Sequence, residues 1–454
     1  MGRLIIVSNR VPSPRERLQP AGGLTVGLKD ALRGGESLWF GWSGNQSEFE
    51  GDPVIGMDEV DGVTYATIDL TARQHEGFYQ NFSNGILWPL FHYRVGLMSY
   101  SRRDWQTYLE VNAMFARCLR ALLQPDDVIW VHDYHLFPLG QALRDLGVAG
   151  RIGFFLHIPV PPWSLVRSMP GAKLLLEDMQ AYDLIGVQTE EDADNLNHAF
   201  RLNGLTERAG AFPIGIDPHE FREQAEESVR REEADRLRAS LRGTALILGV
   251  DRLDYSKGLP ERFRGYEAFM ARYPEHRGKV SFLQVAPVSR GDVEEYRQLR
   301  CQLDELTGRI NGAYAEFDWT PIRYLTRPVA RDILAGFYRM ADVALITPLR
   351  DGMNLVAKEY VAAQDAADPG VLVLSHFAGA APEMDEAVLV NPFDADEIAD
   401  ALHQALTMGL EERQRRWSHL DEDVRRTTAG FWARDFLKAL DAAPPVATLA
   451  PGTS

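Results

Sequence analysis

This sequence of 454 residues has only two cysteines, no long apolar run and no excess of positive charge. Its two cysteines, Cys118 and Cys301, lie in no CxxC motif, are too few for a disulfide framework and suggest a reducing, cytoplasmic setting. The N-terminal apolar run at 4–7 is too short for the core of a signal peptide. No apolar run approaches the roughly 18 residues that would span a bilayer. We therefore expect neither a secretion signal nor a membrane span.

The charge balance is acidic. Against 48 Lys and Arg residues stand 65 Asp and Glu residues, which leaves a formal net charge of −17. A surface of this sign repels phosphate-rich partners, so binding to nucleic acid or to an anionic membrane is disfavoured. The acidic net charge does not exclude a local basic pocket for a small anion.

Short apolar runs alternate along the chain with amphipathic segments. Eight runs are predicted to be strands: 4–7, 127–131, 151–156, 183–187, 245–250, 280–286, 342–346 and 371–374. Continuous apolar strands that alternate with helices are typical of parallel sheets buried on both faces, which predicts an α/β protein. Strands occur on both sides of residue 240, so two sheets are expected, in agreement with the two or three domains that this length favours.

A charged, helix-forming segment at 219–242 separates the two series of strands. We predict an N-terminal domain at 1–240, a C-terminal domain at 241–425 and a further helix at 426–441. The last residues, 442–454, are rich in proline and small side chains, which predicts a disordered tail.

The carboxyl end of the first predicted strand carries residues suited to an anion. In open α/β sheets ligands bind beyond this end of the strands. Arg10 follows the first strand and needs an anionic partner or a route to solvent. Gly22 and Gly23 precede a predicted helix, where backbone N–H groups can approach an anion closely. A glycine pair before a helix is more often only a turn, so this signal is weak by itself.

Two further strands of the first series end in titratable side chains. HDYH occupies 132–135, and His157 follows the strand at 151–156. A metal site at HDYH lacks an obvious fourth ligand, so we favour a packed or substrate-bonding role. A hydrogen-bonded structural histidine explains each His almost equally well.

Aromatic and amide side chains are mixed in the segment 79–89, YQNFSNGILWP. Such a mixture suits a sugar, because aromatic faces pack on its C–H groups and amides bond its hydroxyls. Ordinary core is the alternative, and composition alone favours it.

The second series of strands carries the strongest candidate residues. Arg252 and Lys257 lie in the loop between the strand at 245–250 and a helix predicted from Leu259. Two cations beside a helix N-terminus suit a diphosphate, although both cations could be ordinary surface charges. After the strand at 342–346, Asp351 lies in a turn, and Glu359 follows in the next helix. Glu359 could accept the hydroxyls of a ribose, or it could be a helix charge favoured by the dipole.

Six motifs occur in one order along the chain: SNR with AGG, HDYH, FFLHIP, VDRLDYSKGLPERF, APVSRGD and LRDGMNLVAKEYVAAQ. Together, from about residue 3 to residue 440, they resemble the trehalose-6-phosphate synthase family of retaining glycosyltransferases. The resemblance implies the GT-B fold, in which two Rossmann-like parallel-sheet domains face a central cleft and a C-terminal helix crosses back to the N-terminal domain. It also implies transfer of glucose from a nucleotide-diphosphate glucose, first of all UDP-glucose, to glucose 6-phosphate, which yields α,α-trehalose 6-phosphate. A homo-oligomer, dimer or tetramer, without a metal cofactor is expected.

The resemblance assigns roles to residues that match the motifs. The acceptor is expected to contact Arg10, Tyr79, Trp88, Asp133 and Arg290, with the two arginines at its 6-phosphate. The donor is expected to contact Gly22, Gly23, His157, Arg252, Lys257, Val329, Asp351, Leu355, Val356, Ala357, Lys358 and Glu359. Within that set the glycines and the two cations bind the diphosphate, His157 and Asp351 bond the transferred glucose, and Glu359 bonds the ribose. Catalysis is expected to depend on Asp133, His157, Arg252, Lys257, Asp351 and Glu359, and anomer selectivity on Trp88 and Ile158.

The sequence departs from the family pattern at two places, and three alternative functions stay open. The loop at 206–213 is short, and Val329-Ala330 stands where some members carry an aromatic residue near the base, so the preferred nucleotide is in doubt. The chain could instead couple a nucleotide-cyclitol to a phosphorylated aminocyclitol, or it could be a catalytically silent subunit that binds sugar phosphates. A phosphorylase of the same fold would need a lysine for pyridoxal phosphate, and no separate candidate is seen.

Overall fold

The computed structural model describes residues 2–14, 16, 28, 36–49, 51–288 and 294–446. The chain divides into two compact units, of which unit 1 comprises Met1–Ile214 and Trp432–Ser454 and unit 2 comprises Gly215–Phe431. Gly22, Gly23, Arg290 and the tail from 447 onward lie outside the described residues. Among the described helices, none has the length and hydropathy that a membrane span requires.

Unit 1 is built on an eight-stranded sheet. Its strands are β1 (Leu4–Arg10), β2 (Ser37–Ser47), β3 (Gly56–Val60), β4 (Val63–Thr71), β5 (Val128–His132), β6 (Ile152–Phe155), β7 (Leu184–Val187) and β8 (Ala209–Ala211). They pair in the order β3-β4-β2-β1-β5-β6-β7-β8. All pairs are parallel except β3 with β4. The central strands are apolar and buried, as expected of a parallel sheet.

The helices of unit 1 connect these parallel strands. Between residues 36 and 214, the helices that the structure describes are α1 (Ala72–Gln74), a π-helix (His75–Leu87), α2 (Trp88–Phe91), α3 (Arg102–Arg120), α4 (Leu139–Asp145), α5 (Trp163–Val166), α6 (Ala172–Asp178) and α7 (Glu190–Leu202). Single 3₁₀ turns occupy Val95–Leu97, Tyr134–Leu136 and Met179–Ala181.

Unit 2 is built on a six-stranded parallel sheet. Its strands are β9 (Ala245–Val250), β10 (Val280–Val285), β11 (Ile322–Leu325), β12 (Val343–Ile346), β13 (Val371–Ser375) and β14 (Val388–Val390). They pair in the order β11-β10-β9-β12-β13-β14. Read by position in the unit, this order is 3-2-1-4-5-6, the order of a doubly wound dinucleotide-binding sheet.

The helices of unit 2 begin before its first strand. They are α8 (Pro218–Ser228), α9 (Glu232–Leu241), α10 (Leu259–Arg272), α11 (Glu294–Tyr314), α12 (Arg331–Met340), α13 (Leu355–Ala363), α14 (Ala395–Thr407), α15 (Leu410–Arg426) and the start of α16 (Ala429–Ala442). Single 3₁₀ turns occupy Tyr255–Lys257, Pro274–His276 and Ala381–Glu383.

The first unit ends earlier in the chain than the sequence indicated. Residues 215–240, predicted to close the N-terminal domain, belong to unit 2. Arg222 in α8 donates to the carbonyl of Ala362 in α13, and Ser228 donates to the carbonyl of Asp332 in α12. These bonds attach α8 to helices that follow it by more than a hundred residues, a pairing that no local pattern indicates.

The C-terminal helix returns to the sheet of unit 1, as the resemblance implied. In α16, Phe436 stacks on Trp130 of β5 with ring centroids 4.8 Å apart, and Trp432 lies 4.9 Å from the same ring. A Cβ atom at Gly186 of β7 would lie 2.8 Å from the Phe436 ring, so glycine there makes room for the helix. The confirmed fold is thus α/β, with two parallel sheets and a returning terminal helix.

Candidate active site

Each sheet has a topological switch point, where the strand order reverses and where open α/β sheets bind ligands. In unit 1 it lies between β1 and β5, which are adjacent and lead outward in opposite directions. In unit 2 it lies between β9 and β12. The predicted residues Arg10 and Asp133 follow the first pair of strands, while Arg252, Lys257 and Asp351 follow the second. The topology therefore gives each unit one group of candidate residues.

Arg10 ends β1 with a half-exposed side chain and pairs with a carboxylate. Its Nη2 lies 3.1 Å from Oε2 of Glu16, which also accepts from the backbone N–H and the hydroxyl of Ser13 at 2.9 and 2.7 Å. Burial raises the pKa of Glu16, but the bonds from Ser13 and the charge of Arg10 outweigh it and lower that pKa overall. A phosphate arriving at Arg10 would replace Glu16 as the partner of the guanidinium.

An aromatic group surrounds Tyr79. The half-buried Tyr79 ring stacks on His75 at 5.3 Å and on His135 at 5.8 Å and lies 6.0 Å from Trp42. Tyr79 belongs to the π-helix, whose end is marked by the N–H of Trp88 donating to the carbonyl of Ser83, five residues earlier. π-Helical turns are rare and often occur at functional sites.

Trp88 and Ile158, predicted to select the anomer, are both buried, with 6% and 4% of their surface exposed. The Trp88 ring packs on His92 at 4.1 Å and on Tyr134 at 5.7 Å. Both side chains therefore form part of the buried core, as the core interpretation of this segment has it for Trp88.

Asp133 has an unusual backbone conformation at the end of β5. Its φ of 77° and ψ of 165° fall in a region that is nearly restricted to glycine. Its Oδ1 accepts the backbone N–H of His157 at 3.2 Å, which joins the ends of β5 and β6. A strained non-glycine residue at a switch point is a signal of function that the sequence did not show, because φ is not readable from residue type.

His157 is held through both ring nitrogens. Gln188 uses its carbonyl oxygen to accept the N–H of Ile214 at 3.0 Å, so its amide nitrogen faces Nδ1 of His157 at 3.3 Å. Because an amide nitrogen only donates, Nδ1 accepts and the ring proton lies on Nε2, which points at Nδ1 of His132 at 3.1 Å. Burial lowers the pKa of His157 to about 3, so the ring is neutral at physiological pH. To bond a sugar, this ring must exchange its contact with His132.

Replacing Gln188 with glutamate tests this assignment. A carboxylate keeps the acceptor for Ile214 but would draw the proton of His157 to Nδ1, and the added charge should raise the pKa of His157 by about 1–3 pH units. NMR titration of the imidazole gives both the tautomer and the pKa. Gln141→Glu, at a half-buried residue bonded to Asp145, is the matched control. An unchanged titration of His157 in the Gln188 variant would contradict the assignment.

In unit 2, Lys257 and Asp351 form the centre of the second group. Lys257 Nζ lies 2.5 Å from Oδ2 of Asp351, with 13% and 15% of the two side chains exposed. Asn354 donates to the same carboxylate oxygen at 3.0 Å. Gly258, which follows Lys257, has a φ of +64°, and a Cβ there would lie 2.3 Å from the carbonyl oxygen of Thr347. Only glycine lets this loop approach the end of β12 so closely. Arg252, in the same loop, is exposed.

The first turn of α13 offers backbone donors beside this ion pair. Asn354 caps the helix by accepting the N–H of Ala357 at 3.2 Å. The N–H groups of Leu355 and Val356 lie in the same turn, at the positive end of the helix dipole. A phosphate at this point would meet both the dipole and the Lys257 cation. Val329 is half-buried in the loop before α12.

Glu359 and Lys358, one turn further along α13, face different partners. Arg331 donates to Oε1 of Glu359 at 3.1 and 3.0 Å. Burial raises the pKa of Glu359, and Arg331 opposes that rise. Lys358 is buried and donates to Glu383 at 2.8 Å. Its ammonium group is thus held away from the first turn, so any donor contact of Lys358 would come from its backbone.

Arg262 is the residue that the sequence analysis missed. It is fully buried in α10 and bonds Oδ2 of Asp251 at 2.5 Å, Oε1 of Gln284 at 2.9 Å and Oγ1 of Thr347 at 3.0 Å. These partners follow β9, lie in β10 and follow β12, so one guanidinium joins the strand ends beneath Lys257. The sequence did carry one signal for a buried arginine, because Arg262 lies on the apolar face of α10 with Leu259 and Phe263.

Comparisons with known proteins cover nearly the whole chain. The model of glycosyltransferase family 20 matches residues 3–442. The trehalose-6-phosphate synthase of Cronobacter sakazakii is 46% identical over 98% of this chain and 96% of its own length. A crystal structure of an α,α-trehalose-phosphate synthase (UDP-forming) from Burkholderia xenovorans, in complex with glucose-6-phosphate, is 48% identical with a TM-score of 0.93 and covers 97% of this chain and all of its own. A structure from E. coli bound with UDP-2-fluoro glucose is 45% identical with a TM-score of 0.93, over 98% of this chain and all of its own.

Proposed function

The chain belongs to glycosyltransferase family 20, and from this premise we propose that it transfers glucose from UDP-glucose to glucose 6-phosphate with retention. The products are α,α-trehalose 6-phosphate and UDP. The observation that carries the proposal is the group of Lys257, Asp351 and the first turn of α13 at the switch point of unit 2. It offers a cation, a hydroxyl acceptor and helix N–H groups, which are the contacts that a sugar diphosphate needs.

Unit 1 supplies the acceptor contacts in this proposal. Arg10 binds the 6-phosphate in exchange for Glu16. The family resemblance also assigns Arg290, which lies outside the described residues, to that phosphate. The Tyr79 ring packs on the hexose, and the Asp133 carboxylate accepts a hydroxyl. Trp88 and Ile158 fix the shape of the wall behind the sugar, because both are buried.

Unit 2 supplies the donor contacts. Lys257 and Arg252 neutralise the diphosphate, the N–H groups of Leu355 and Val356 bond it, and Asp351 bonds hydroxyls of the glucose. Glu359 accepts the ribose hydroxyls, with Arg331 holding its carboxylate in place, and the base lies near Val329. The family resemblance also assigns Gly22 and Gly23, which lie outside the described residues, to the diphosphate and His157 to the glucose.

The proposed reaction needs no protein nucleophile. A covalent intermediate would require a carboxylate beneath the anomeric carbon. In the alternative that we favour, the bond from the anomeric carbon to the diphosphate breaks and the acceptor hydroxyl attacks from the same face. A leaving phosphate oxygen takes the hydroxyl proton, and the Lys257 and Arg252 cations stabilise the charge on the departing diphosphate. In this proposal the cations of Lys257 and Arg252 perform the role that a divalent metal has in other nucleotide-sugar sites, so we propose metal-independent turnover.

Release of nucleoside diphosphate tests the function directly. UDP-, GDP- and ADP-glucose are each supplied with and without glucose 6-phosphate, in buffer with or without EDTA. We expect UDP release that depends on glucose 6-phosphate and persists in EDTA. Loss of turnover in EDTA would refute metal independence but would leave the proposed transfer reaction standing. If no nucleoside diphosphate is released from any donor while glucose 6-phosphate still binds, the result favours a silent subunit. If the enzyme is inactive toward glucose 6-phosphate but active toward a phosphorylated aminocyclitol, the result favours the coupling enzyme.

Arg10→Ala should erode the preference for the phosphorylated acceptor. A charge-assisted bond to phosphate is worth about 1.5–3 kcal/mol, so the ratio of kcat/KM for glucose 6-phosphate to that for glucose should fall by roughly 10- to 150-fold. Steady-state kinetics with both acceptors measures this ratio. Arg73→Ala removes another exposed arginine of unit 1, paired with Glu110, and should leave the ratio unchanged. An unaltered ratio in the Arg10 variant would show that the phosphate binds elsewhere.

The oligomeric state and the cytoplasmic location stay predictions. A dimer or tetramer is proposed from the family resemblance, and size-exclusion chromatography with light scattering measures it.

A further inference from the structure

Two histidines and a glutamate meet in unit 2 at the far end of α10 from Lys257. Glu275 and His276 lie in the 3₁₀ turn that follows α10, and His403 lies in α14. Nε2 of His276 is 3.1 Å from Nδ1 of His403, and Oε1 of Glu275 is 4.0 Å from the same Nδ1. The three ligand atoms all lie within 4.8 Å of one another. No step of the proposed reaction uses these residues.

The distances suit a tetrahedral metal ion. At a Zn–N bond of about 2.05 Å and a tetrahedral angle, two imidazole nitrogens stand about 3.3 Å apart. The two nitrogens here are already within 0.2 Å of that spacing. The Glu275 side chain is 55% exposed, so its carboxylate has room to move toward the two nitrogens and complete a three-ligand face.

Aromatic packing holds both imidazole rings in place. Tyr273 stacks on His403 with centroids 4.0 Å apart and planes 6° apart, and its hydroxyl is tied to Asp400 at 2.6 Å. Phe269 packs on His276 at 5.0 Å. Rings fixed by a second layer of contacts lose little freedom on binding a metal, which favours affinity.

The charges around the cluster are compatible with a cation. Arg272 is paired with Asp400 at 3.1 Å, which balances one nearby positive charge. Lys279 is a cation close enough to act on His276. The Glu275 carboxylate adds a negative charge within 4.8 Å of both imidazole nitrogens.

We propose that Glu275, His276 and His403 form a binding site for a divalent transition metal, with Zn²⁺ as the preferred ion and a water as the fourth ligand. Two imidazoles and one carboxylate with an open position make a common zinc ligand set, whereas Mg²⁺ and Ca²⁺ prefer all-oxygen sites. The ion would link the turn after α10 to α14. Since the residues lie outside the proposed reaction site, its expected effect is on stability and not on turnover.

Isothermal titration with Zn²⁺ at pH 7.5 tests the site. The protein is used as the Cys301→Ser variant, because the exposed thiol of Cys301 could itself bind zinc and obscure the titration. We expect one ion per chain at micromolar concentration, an affinity at least tenfold lower in His276→Ala and His403→Ala, a smaller loss in Glu275→Gln, and no binding of Mg²⁺. His219→Ala removes an exposed histidine that lies beside Glu223 and is the matched control.

Thermal unfolding supplies a second measurement. Zn²⁺ should raise the Tm of the parent protein and of the His219 variant but not that of the double variant His276→Ala/His403→Ala, with turnover of the metal-free double variant unchanged. His403→Asn, which keeps a polar side chain, replaces the alanine variant if circular dichroism shows that the latter is unfolded. Equal zinc binding by parent and double variant, or no binding by the parent at 100-fold the protein concentration, would overturn the proposal.

Discussion

Replacement of Lys257 with alanine is expected to lower kcat by roughly 30- to 800-fold, which corresponds to about 2–4 kcal/mol of lost transition-state stabilisation, the scale for one preorganised charge contact. Negative charge develops on the diphosphate only as it departs, so the Nζ cation stabilises the transition state more than the bound donor. The loss should therefore appear in kcat more than in KM. Asp351, which Lys257 contacts at 2.5 Å, would also lose its cationic partner.

Two controls separate this effect from a general loss of charge. Lys173→Ala removes an exposed lysine that lies in α6 next to Glu177 and should leave kcat unchanged. Lys257→Arg keeps the charge with another shape and should recover part of the activity. If Lys257→Ala kept near-normal turnover, charge neutralisation by Lys257 would be wrong.

Replacement of Arg262 with methionine is expected to lower the free energy of unfolding by about 3–5 kcal/mol, the usual cost of leaving one member of a buried ion pair without its partner. Asp251 is buried, and burial raises its pKa while Arg262 and Lys257 oppose the rise. Without Arg262, Asp251 can avoid a buried charge only by taking up a proton. Because the folded state then binds more protons than the unfolded state, the destabilisation should grow as the pH rises and shrink in acid.

Urea unfolding at several pH values measures this change. Arg264→Met, two residues further along and exposed on the same helix, is the matched control and should cost less than 0.5 kcal/mol, about the limit for surface positions. The double variant Arg262→Met/Asp251→Leu should recover most of the loss, because replacing both members of a buried pair is often neutral. A single variant as stable as the parent at pH 8 would show that the pair does not hold the strand ends together.

The eight predicted strands are all present, with ends that differ by a few residues at most. Their short, continuous apolar runs are buried on both faces, so the sequence alone indicates them as strands. The strands β2 and β4 were missed, because β2 contains glycines and polar residues and β4 alternates apolar with polar side chains. The edge strands β8 and β14 have only three residues each, too few for any periodic pattern.

The candidate site likewise has features that the sequence indicates and features that it does not. Arg10, Lys257 and Asp351 could be found because each lies at the end of a strand or in the loop between a strand and a helix, where ligands of open α/β sheets bind. The sequence did not indicate the hydrogen-bond and ion-pair partners of these and nearby residues. Nothing local indicates that Glu359 pairs with Arg331, that His157 lies between Gln188 and His132, or that Arg262 joins three strand ends.

By itself, this sequence determined the α/β class, the succession of most central strands, the loops that carry charged side chains and the family to which they belong. Those properties depend on neighbours within a few positions along the chain, where apolar periodicity and turn chemistry act. Tertiary structure alone decided the strand order, the end of unit 1 at Ile214, the strained backbone of Asp133 and the tautomer of His157. Each of these depends on groups brought together from distant parts of the chain, and their identity follows from packing and hydrogen-bond satisfaction in the folded state rather than from any local pattern.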